Sequence, residues 1–445
     1  MKIQDILTAT KGKLIGNIDT NISIDFFCTD SRNIEPNSLY IPLIGEKFDG
    51  HDFIVDSFNK GAVISLTSKN NIFTDKPLIL VEDTLKAFQN IAKHHRISKN
   101  IPVIALTGSV GKTTTKDMLH AVLSKKYNVL KTEGNFNNHI GVPKTLLRLD
   151  NHNMAIIEMG MNHSGEMSVL SQIALPNLAI INNIGYSHIG NLGSRENILK
   201  AKLEITDGLA KDGKLIVNND DEYLSKLDKG NLIKFGINNN SDLNAYDIEI
   251  DDTTTRFKVN FDNQPYDFIL PLPGEHFVYN ALAAITVGNI YGVSPSDMAD
   301  ALKNMTFTKM RMDIIEKNSI KIINDAYNAS PDSMKASLNS LIAIKGERKI
   351  AVLADMLELG EFSKSIHFEI GKSIDKEKID YVLTYGNDAI EIINGALNNG
   401  FKNAKFFNDK EELINELKEL LQPNDCVLIK GSRGMKMDEV VNAII

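Results

Sequence analysis

The sequence predicts an α/β protein of three domains: a small amino-terminal α/β domain, a central parallel-sheet domain built on a P-loop, and a carboxyl-terminal α/β domain. Three observations lead there. From about residue 100, short apolar runs that end in polar or glycine-bearing turns alternate with helical periodicity: "IPVIALTG", "MAIIEMG", "LAIINNIG" and "KLIVNND". Strands that alternate with helices form a mostly parallel sheet covered on both faces. A second series, "KIINDAYN", "KIAVLADM", "DYVLTYG" and "CVLIKGS", begins near residue 321. Ligands of open α/β sheets collect beyond the carboxyl ends of the strands, so two series predict two domains facing one cleft. Residues 1 to 98 show little parallel-sheet rhythm and read as a separate unit.

Length and composition agree. With 445 residues, 42% of them hydrophobic, the chain is too long for one core and apolar enough for several. A net charge of -8 argues against a broad nucleic-acid or anionic-membrane surface. Charges and glycines interrupt the apolar run of "MKIQDILTATKGKLIGN", and no stretch of about 20 apolar residues follows, which predicts a cytoplasmic protein. Cys28 and Cys426 lie far apart without metal spacing and read as plain thiols. No repeat or low-complexity tract is visible. "AKHHRISKN" and "TFTKMRMD" mark the boundaries, giving domains 1–98, 99–310 and 311–445.

Each element then has a reason. "TGSVGKTT" follows the run "IPVIAL", where a strand gives way to a helix, and Met118, Leu119, Val122 and Leu123 share one face of that helix. Backbone N–H groups of such a turn, with the helix dipole behind them, suit a phosphate. Lys112 would reach the distal phosphates and the Thr113 hydroxyl a Mg²⁺ ion. Position 106 is leucine, so the fit to G-x-x-x-x-G-K-[ST] is imperfect and the working glycines are Gly108 and Gly111. Thr107, Ser109, Val110 and Thr114 complete the predicted ATP contact, against the alternative of an ordinary glycine turn.

Glu158 and His188 follow apolar strands and are candidates for a second Mg²⁺; taken singly, each reads first as a strand-end residue facing water. Asn135, Asn137 and Asn138 belong to a loop rich in Asn and Gly, either an irregular turn or a second cradle for an anion. Lys202 sits within a helical pattern with Leu199, Leu203 and Ile205 and reads by default as a solvated helix lysine. His276 and Asn280, four apart, share a helix face beside small alanines, which suits a flat base or a helix cap. Asp325, Tyr327 and Asn328 end one strand of the second series, and Lys430, Ser432 and Arg433 end another; cations there suit a carboxylate or phosphate.

Together "TGSVGKTT", "TEGNFNNHIGVP", "EMG", "NNIGYSHIG", "AKLEI", "PGEHFVYNALAA", "DAYNASP", "VLADMLELG" and "KGSRGMKM" resemble the Mur ligases of peptidoglycan synthesis, in order and over nearly the whole chain. Within that family "DAYNASPDSM" and "ADMLELG" are most similar to members that add D-alanyl-D-alanine to UDP-N-acetylmuramoyl-tripeptide. The resemblance implies a three-domain monomer in which a nucleotide-sugar domain, a central ATPase and a doubly wound, Rossmann-like carboxyl-terminal domain close on one another. It implies ATP and Mg²⁺, and UDP-substrate contacts at Ser31, Arg32 and the Asp49-Gly50-His51 turn. It promotes Lys202, whose family counterpart is commonly carbamylated and then binds Mg²⁺. The family often has Asn where this chain has Phe277, which leaves Asn280 for the adenine. The expected chemistry activates a carboxylate as an acyl phosphate, which an amine then attacks, with Arg311 reaching the nucleotide in the closed state. Two other readings remain: a neighbouring Mur or folylpolyglutamate-type ligase, and a P-loop switch driven by ATP hydrolysis.

Overall fold

The computed structural model describes all of residues 1–445 except Phe73, Lys229, Phe307 and Lys309. Two of these, Phe307 and Lys309, fall in the expected second boundary, which to that extent lies outside the described residues. Among the described residues the strands form three sheets.

The first sheet has the order β1 (Lys13–Ile15), β5 (Leu78–Leu80), β4 (Ala62–Thr67), β3 (Ser38–Tyr40), β2 (Phe26–Cys28). Only β1 is antiparallel; β2 to β5 pair in parallel. The expectation of little parallel character here is therefore corrected. Four of the five strands are three residues long, too short for a periodic run to show in sequence. Helix Thr84–Lys99 leads out of this sheet, with Asp83 capping its start by accepting the Lys86 N–H.

The central sheet contains β6 (Val103–Thr107), β7 (Val129–Lys131), β8 (Met154–Glu158), β9 (Leu178–Ile181), β10 (Lys214–Asn218), β11 (Leu232–Gly236), β12 (Leu243–Ile250), β13 (Thr255–Phe261) and β14 (Gln264–Leu270), in the order β14-β13-β12-β11-β10-β9-β6-β8-β7. Every residue of β6, β8 and β9 is buried, as a parallel strand covered on both faces requires. β6 lies between β8 and β9, so connections diverge to either side and leave a crevice at its carboxyl end. Met118, Leu119, Val122 and Leu123 of helix Lys112–Leu123 are buried, as their spacing predicted. The sheet is mostly parallel, as expected, from β7 across to β12; β12, β13 and β14 form an antiparallel meander in which burial alternates along β13 and leaves one face in water.

The third sheet holds β15 (Asp313–Lys317), β16 (Ile320–Asp325), β17 (Lys349–Ala354), β18 (Tyr381–Tyr385), β19 (Ala404–Phe407) and β20 (Cys426–Lys430), ordered β15-β16-β20-β17-β18-β19. Register pairing sets Asp325 beside Lys430 at the carboxyl ends of β16 and β20. Both cysteines are free and buried. Among the described residues no helix is long and apolar enough to cross a membrane.

Candidate active site

The carboxyl ends of the second and third sheets face one cavity of about 730 Å³. On one side lies the glycine turn between β6 and helix Lys112–Leu123. Gly111 takes φ +81°, where an added Cβ would stand 2.5 Å from Asn280 Oδ1. Only glycine suits that backbone and that space. Lys112 folds back so that its Nζ donates to the Gly108 carbonyl at 2.7 Å. Burial holds its pKa below the usual lysine range, with Glu158 opposing that shift.

The turn is pinned from β9. Val110 N–H donates to Asn183 Oδ1 at 2.9 Å, Ser109 N–H to Asn183 O at 3.2 Å, and Gly185 N–H to Ser109 Oγ at 2.8 Å. Asn182 Nδ2 donates to Thr115 Oγ1 at 2.8 Å, and Thr115 donates on to Asn280 Oδ1 at 3.2 Å. Asn280 thus braces the phosphate loop from behind while also lining the cavity. Thr107 lies wholly buried beneath the loop and does not line the cavity.

Glu158 does not face water: it is 2% exposed. Its Oε2 accepts from the Thr113 hydroxyl at 3.2 Å and lies 3.3 Å from Lys116 Nζ, and its Oε1 accepts from Asn137 Nδ2 at 2.9 Å. One cation and two neutral donors thus fix the direction in which this buried carboxylate points. Asn137 therefore supports Glu158, whereas Asn138 Oδ1 accepts the N–H groups of Ile140 and Gly141 where the helix Gly141–Leu146 begins. Asn135 lines the cavity beside them.

Lys202 is 1% exposed, which corrects the solvated reading. Burial first, and Lys112 second, push its pKa well below the usual lysine value. His188 lines the cavity at φ +65°, its Nδ1 2.7 Å from Glu358 Oε2 of the third sheet's domain.

Across the cavity, Asp325 pairs with the buried Lys430, and Ser337 Oγ donates to the same carboxylate at 2.6 Å. Lys430 also donates to the Asn328 carbonyl at 3.1 Å. The His276 ring lies near this pair; burial lowers its pKa to about 4, so it is neutral at pH 7. The Arg311 guanidinium stacks 4.2 Å from the Tyr327 ring centre, and both line the cavity with the more exposed Arg433. Ser432 does not: it is 3% exposed, and its hydroxyl accepts from Leu357 N–H and donates to the Ala329 carbonyl.

The amino-terminal candidates lie outside this cavity. Arg32 is well exposed and chelated by Asp30 at 2.7 and 2.9 Å, and the Ser31 carbonyl accepts from Lys60. Asp49 holds His51 Nδ1 at 2.6 Å and Lys69 at 2.7 Å, while His51 Nε2 accepts the Ser68 N–H at 3.0 Å and Tyr40 donates to the Gly50 carbonyl. With both ring nitrogens engaged and 2% exposure, His51 holds its own turn together.

Sequence reasoning passed over Lys116, Asn182, Asn183, Asp332 and Glu358. Lys116 had a signal, lying one turn after Lys112 on the same helix face. Asn182 and Asn183 directly follow β9, where the crevice of a parallel sheet opens. Asp332 accepts the Tyr186 N–H at 3.0 Å from the other domain, a contact that no local pattern announces.

Do these residues fit a nucleoside phosphate with Mg²⁺? A glycine cradle that an added Cβ would fill, a lysine over it, and a buried carboxylate touching the loop hydroxyl form the donor set such a group needs. They fit.

Comparison with known proteins agrees. Residues 23–106 match the model "Mur ligase family, catalytic domain", residues 106–288 "Mur ligase middle domain", and residues 310–433 "Mur ligase, glutamate ligase domain". The chain is 41% identical to the UDP-N-acetylmuramoyl-tripeptide--D-alanyl-D-alanine ligase of Bacillus subtilis strain 168, covering 100% of this chain and 98% of that protein. The crystal structure of MurF from Acinetobacter baumannii superposes with a TM-score of 0.93 at 32% identity, covering 100% and 98% of the two chains. That of MurF ligase from Thermotoga maritima in complex with ADP gives 0.84 at 27% identity, covering 94% and 96%. Sequence, fold and site lead to one conclusion: the chain belongs to the Mur ligase family.

Proposed function

We propose that this protein joins D-alanyl-D-alanine to UDP-N-acetylmuramoyl-tripeptide, forming an amide bond while ATP is converted to ADP and phosphate, in the cytoplasm and as a monomer. The observation that carries the reading is the facing pair of strand-end sites on one cavity: the phosphate loop with Glu158 and Lys116, and the Asp325–Lys430 pair with Arg311 and Tyr327. Full-length similarity to a ligase of that name supports the substrates.

A carboxylate is a poor electrophile, so its oxygen must become a leaving group before an amine can displace it. The tripeptide carboxylate takes the γ-phosphoryl group and becomes an acyl phosphate. Lys112, released from the Gly108 carbonyl, neutralises charge gathering on the transferring oxygens. Thr113, Glu158 and His188 would hold Mg²⁺, with Lys202 joining them as its carbamate; the ion would supply further neutralisation of the phosphate oxygens. The neutral amine of Lys202 is the form that reacts with CO₂. His276, Asn280, Arg311 and Asp325 would hold the nucleotide from the far wall, and Tyr327, Asn328, Lys430 and Arg433 the dipeptide. The amine of D-alanyl-D-alanine then adds to the acyl carbon, and phosphate departs from the tetrahedral intermediate. Closure of the domains, taken as 1–98, 99–310 and 311–445, excludes the water that would hydrolyse the acyl phosphate. Ser31 and Arg32 of the first domain would bind the UDP end.

The test is phosphate release from ATP with each substrate alone and with both. Release only with both, and a product heavier by one dipeptide residue, is expected; release indifferent to either substrate overturns the reading and favours a nucleotide-driven switch.

A further inference from the structure

His188 and Glu358 meet across the boundary between the second and third sheets' domains, and both bend the backbone to do so. His188 has φ +65° and Glu358 φ +66°, left-handed conformations that non-glycine residues rarely adopt and that cost about 1 kcal/mol or more each. The contact is also made by the main chain: Gly190 N–H donates to the Glu358 carbonyl at 3.1 Å. Around it the two segments touch backbone to backbone. A Cβ on Gly190 would lie 2.7 Å from Gly360 N, and one on Gly360 would lie 2.9 Å from Gly190 Cα.

The side chains complete the junction. His188 Nδ1 is buried 2.7 Å from Glu358 Oε2, a charge-pair contact that is not yet aligned as a hydrogen bond, while the ring lines the phosphate cavity. The nitrogen left for a ligand in the cavity is Nε2. A carboxylate on one imidazole nitrogen fixes the tautomer and plane of the ring and makes the other nitrogen a better ligand.

From this junction we propose that Glu358 is a positioning residue for His188: when the third domain docks, Glu358 sets the imidazole so that Nε2 faces the nucleotide's metal ion, making metal binding dependent on domain docking. The proposal rests on the reading that this cavity holds a nucleotide with its divalent cation. It differs from closure that merely excludes water, because a specific side chain of the closing domain completes the metal site without touching the metal.

The experiment compares the full-length wild type, Glu358→Ala and Glu358→Gln. Binding of Mn²⁺ in the presence of ADP is followed by electron paramagnetic resonance, ADP binding without metal by calorimetry, and domain docking by small-angle scattering. Glu358→Ala is expected to weaken Mn²⁺ binding with ADP about 10- to 100-fold. ADP binding without metal should be unchanged. Glu358→Gln, which keeps an oxygen facing Nδ1, should recover most of the loss. A merely structural role would instead lower metal-free ADP binding and thermal stability together, with no recovery by Gln, and that outcome overturns the proposal. Mn²⁺ binding of Glu358→Ala equal to the wild type overturns it as well. Failure of the ligase reading is seen separately, as a wild type that makes no product whatever its metal affinity.

Discussion

Lys116 Nζ lies 3.3 Å from Glu158 Oε2, and both side chains are buried, at 2% and 3% exposure. A buried pair gains little over a well-packed apolar one, but removing one partner strands a charge out of water. Lys116→Met is therefore expected to cost about 3 to 5 kcal/mol of unfolding free energy, measured by urea titration. Adding Glu158→Gln should restore more than half of that loss. A double variant no more stable than Lys116→Met would show that the two residues are not coupled.

Gly111 tests the phosphate cradle. In Gly111→Ala the methyl group would meet Asn280 Oδ1 at 2.5 Å in a backbone conformation that alanine resists. The fold should survive and the affinity for ADP should drop at least tenfold, which is about 1.4 kcal/mol. Calorimetric titration decides this, and wild-type affinity would refute the cradle.

His276 gives a pH dependence. Burial places its folded pKa near 4, below the value of 6.5 of an unperturbed ring. Between these values the unfolded chain binds the proton and the folded protein does not. Stability is thus full above pH 6.5 and declines as the pH falls towards 4. His276→Gln should flatten this part of the curve, so that the difference between wild type and variant changes by on the order of 2 kcal/mol from pH 7 to pH 4. Parallel curves would mean that the ring is solvated.

Lys202 has a chemical signature. Enzyme equilibrated with ¹³C-labelled bicarbonate should show a carbamate carbon resonance that is lost in Lys202→Ala, and ligation by that variant should fall about 10- to 100-fold. An unlabelled wild type with full activity would remove the carbamate from the mechanism.

Much of this site was legible before any coordinates. The run 105–117 announced its turn because a strand, a glycine pair and an amphipathic helix each leave a local mark, and Lys112 and Thr113 are fixed within it. Glu158 and His188 could be singled out as strand-end residues, but their surroundings could not: Glu158 read as solvated and is buried against Lys116, Thr113 and Asn137. Lys202 was wrongly placed in water by its helical pattern, since periodicity reports a helix face and not what packs on it. The partners of His51, Asp49 and Ser68, come from its own turn and from a position 17 residues on, and the latter left no mark in the sequence.

By itself the sequence determined the alternation of strand and helix, the glycine turn, and the polar residues waiting at the strand ends, because these depend on neighbours within a few positions along the chain. Tertiary structure alone decided the Asp325–Lys430 and His188–Glu358 pairs, whose partners stand 105 and 170 residues apart. It also decided which charges lose their water, because burial depends on everything that packs around a group, and no local pattern contains that.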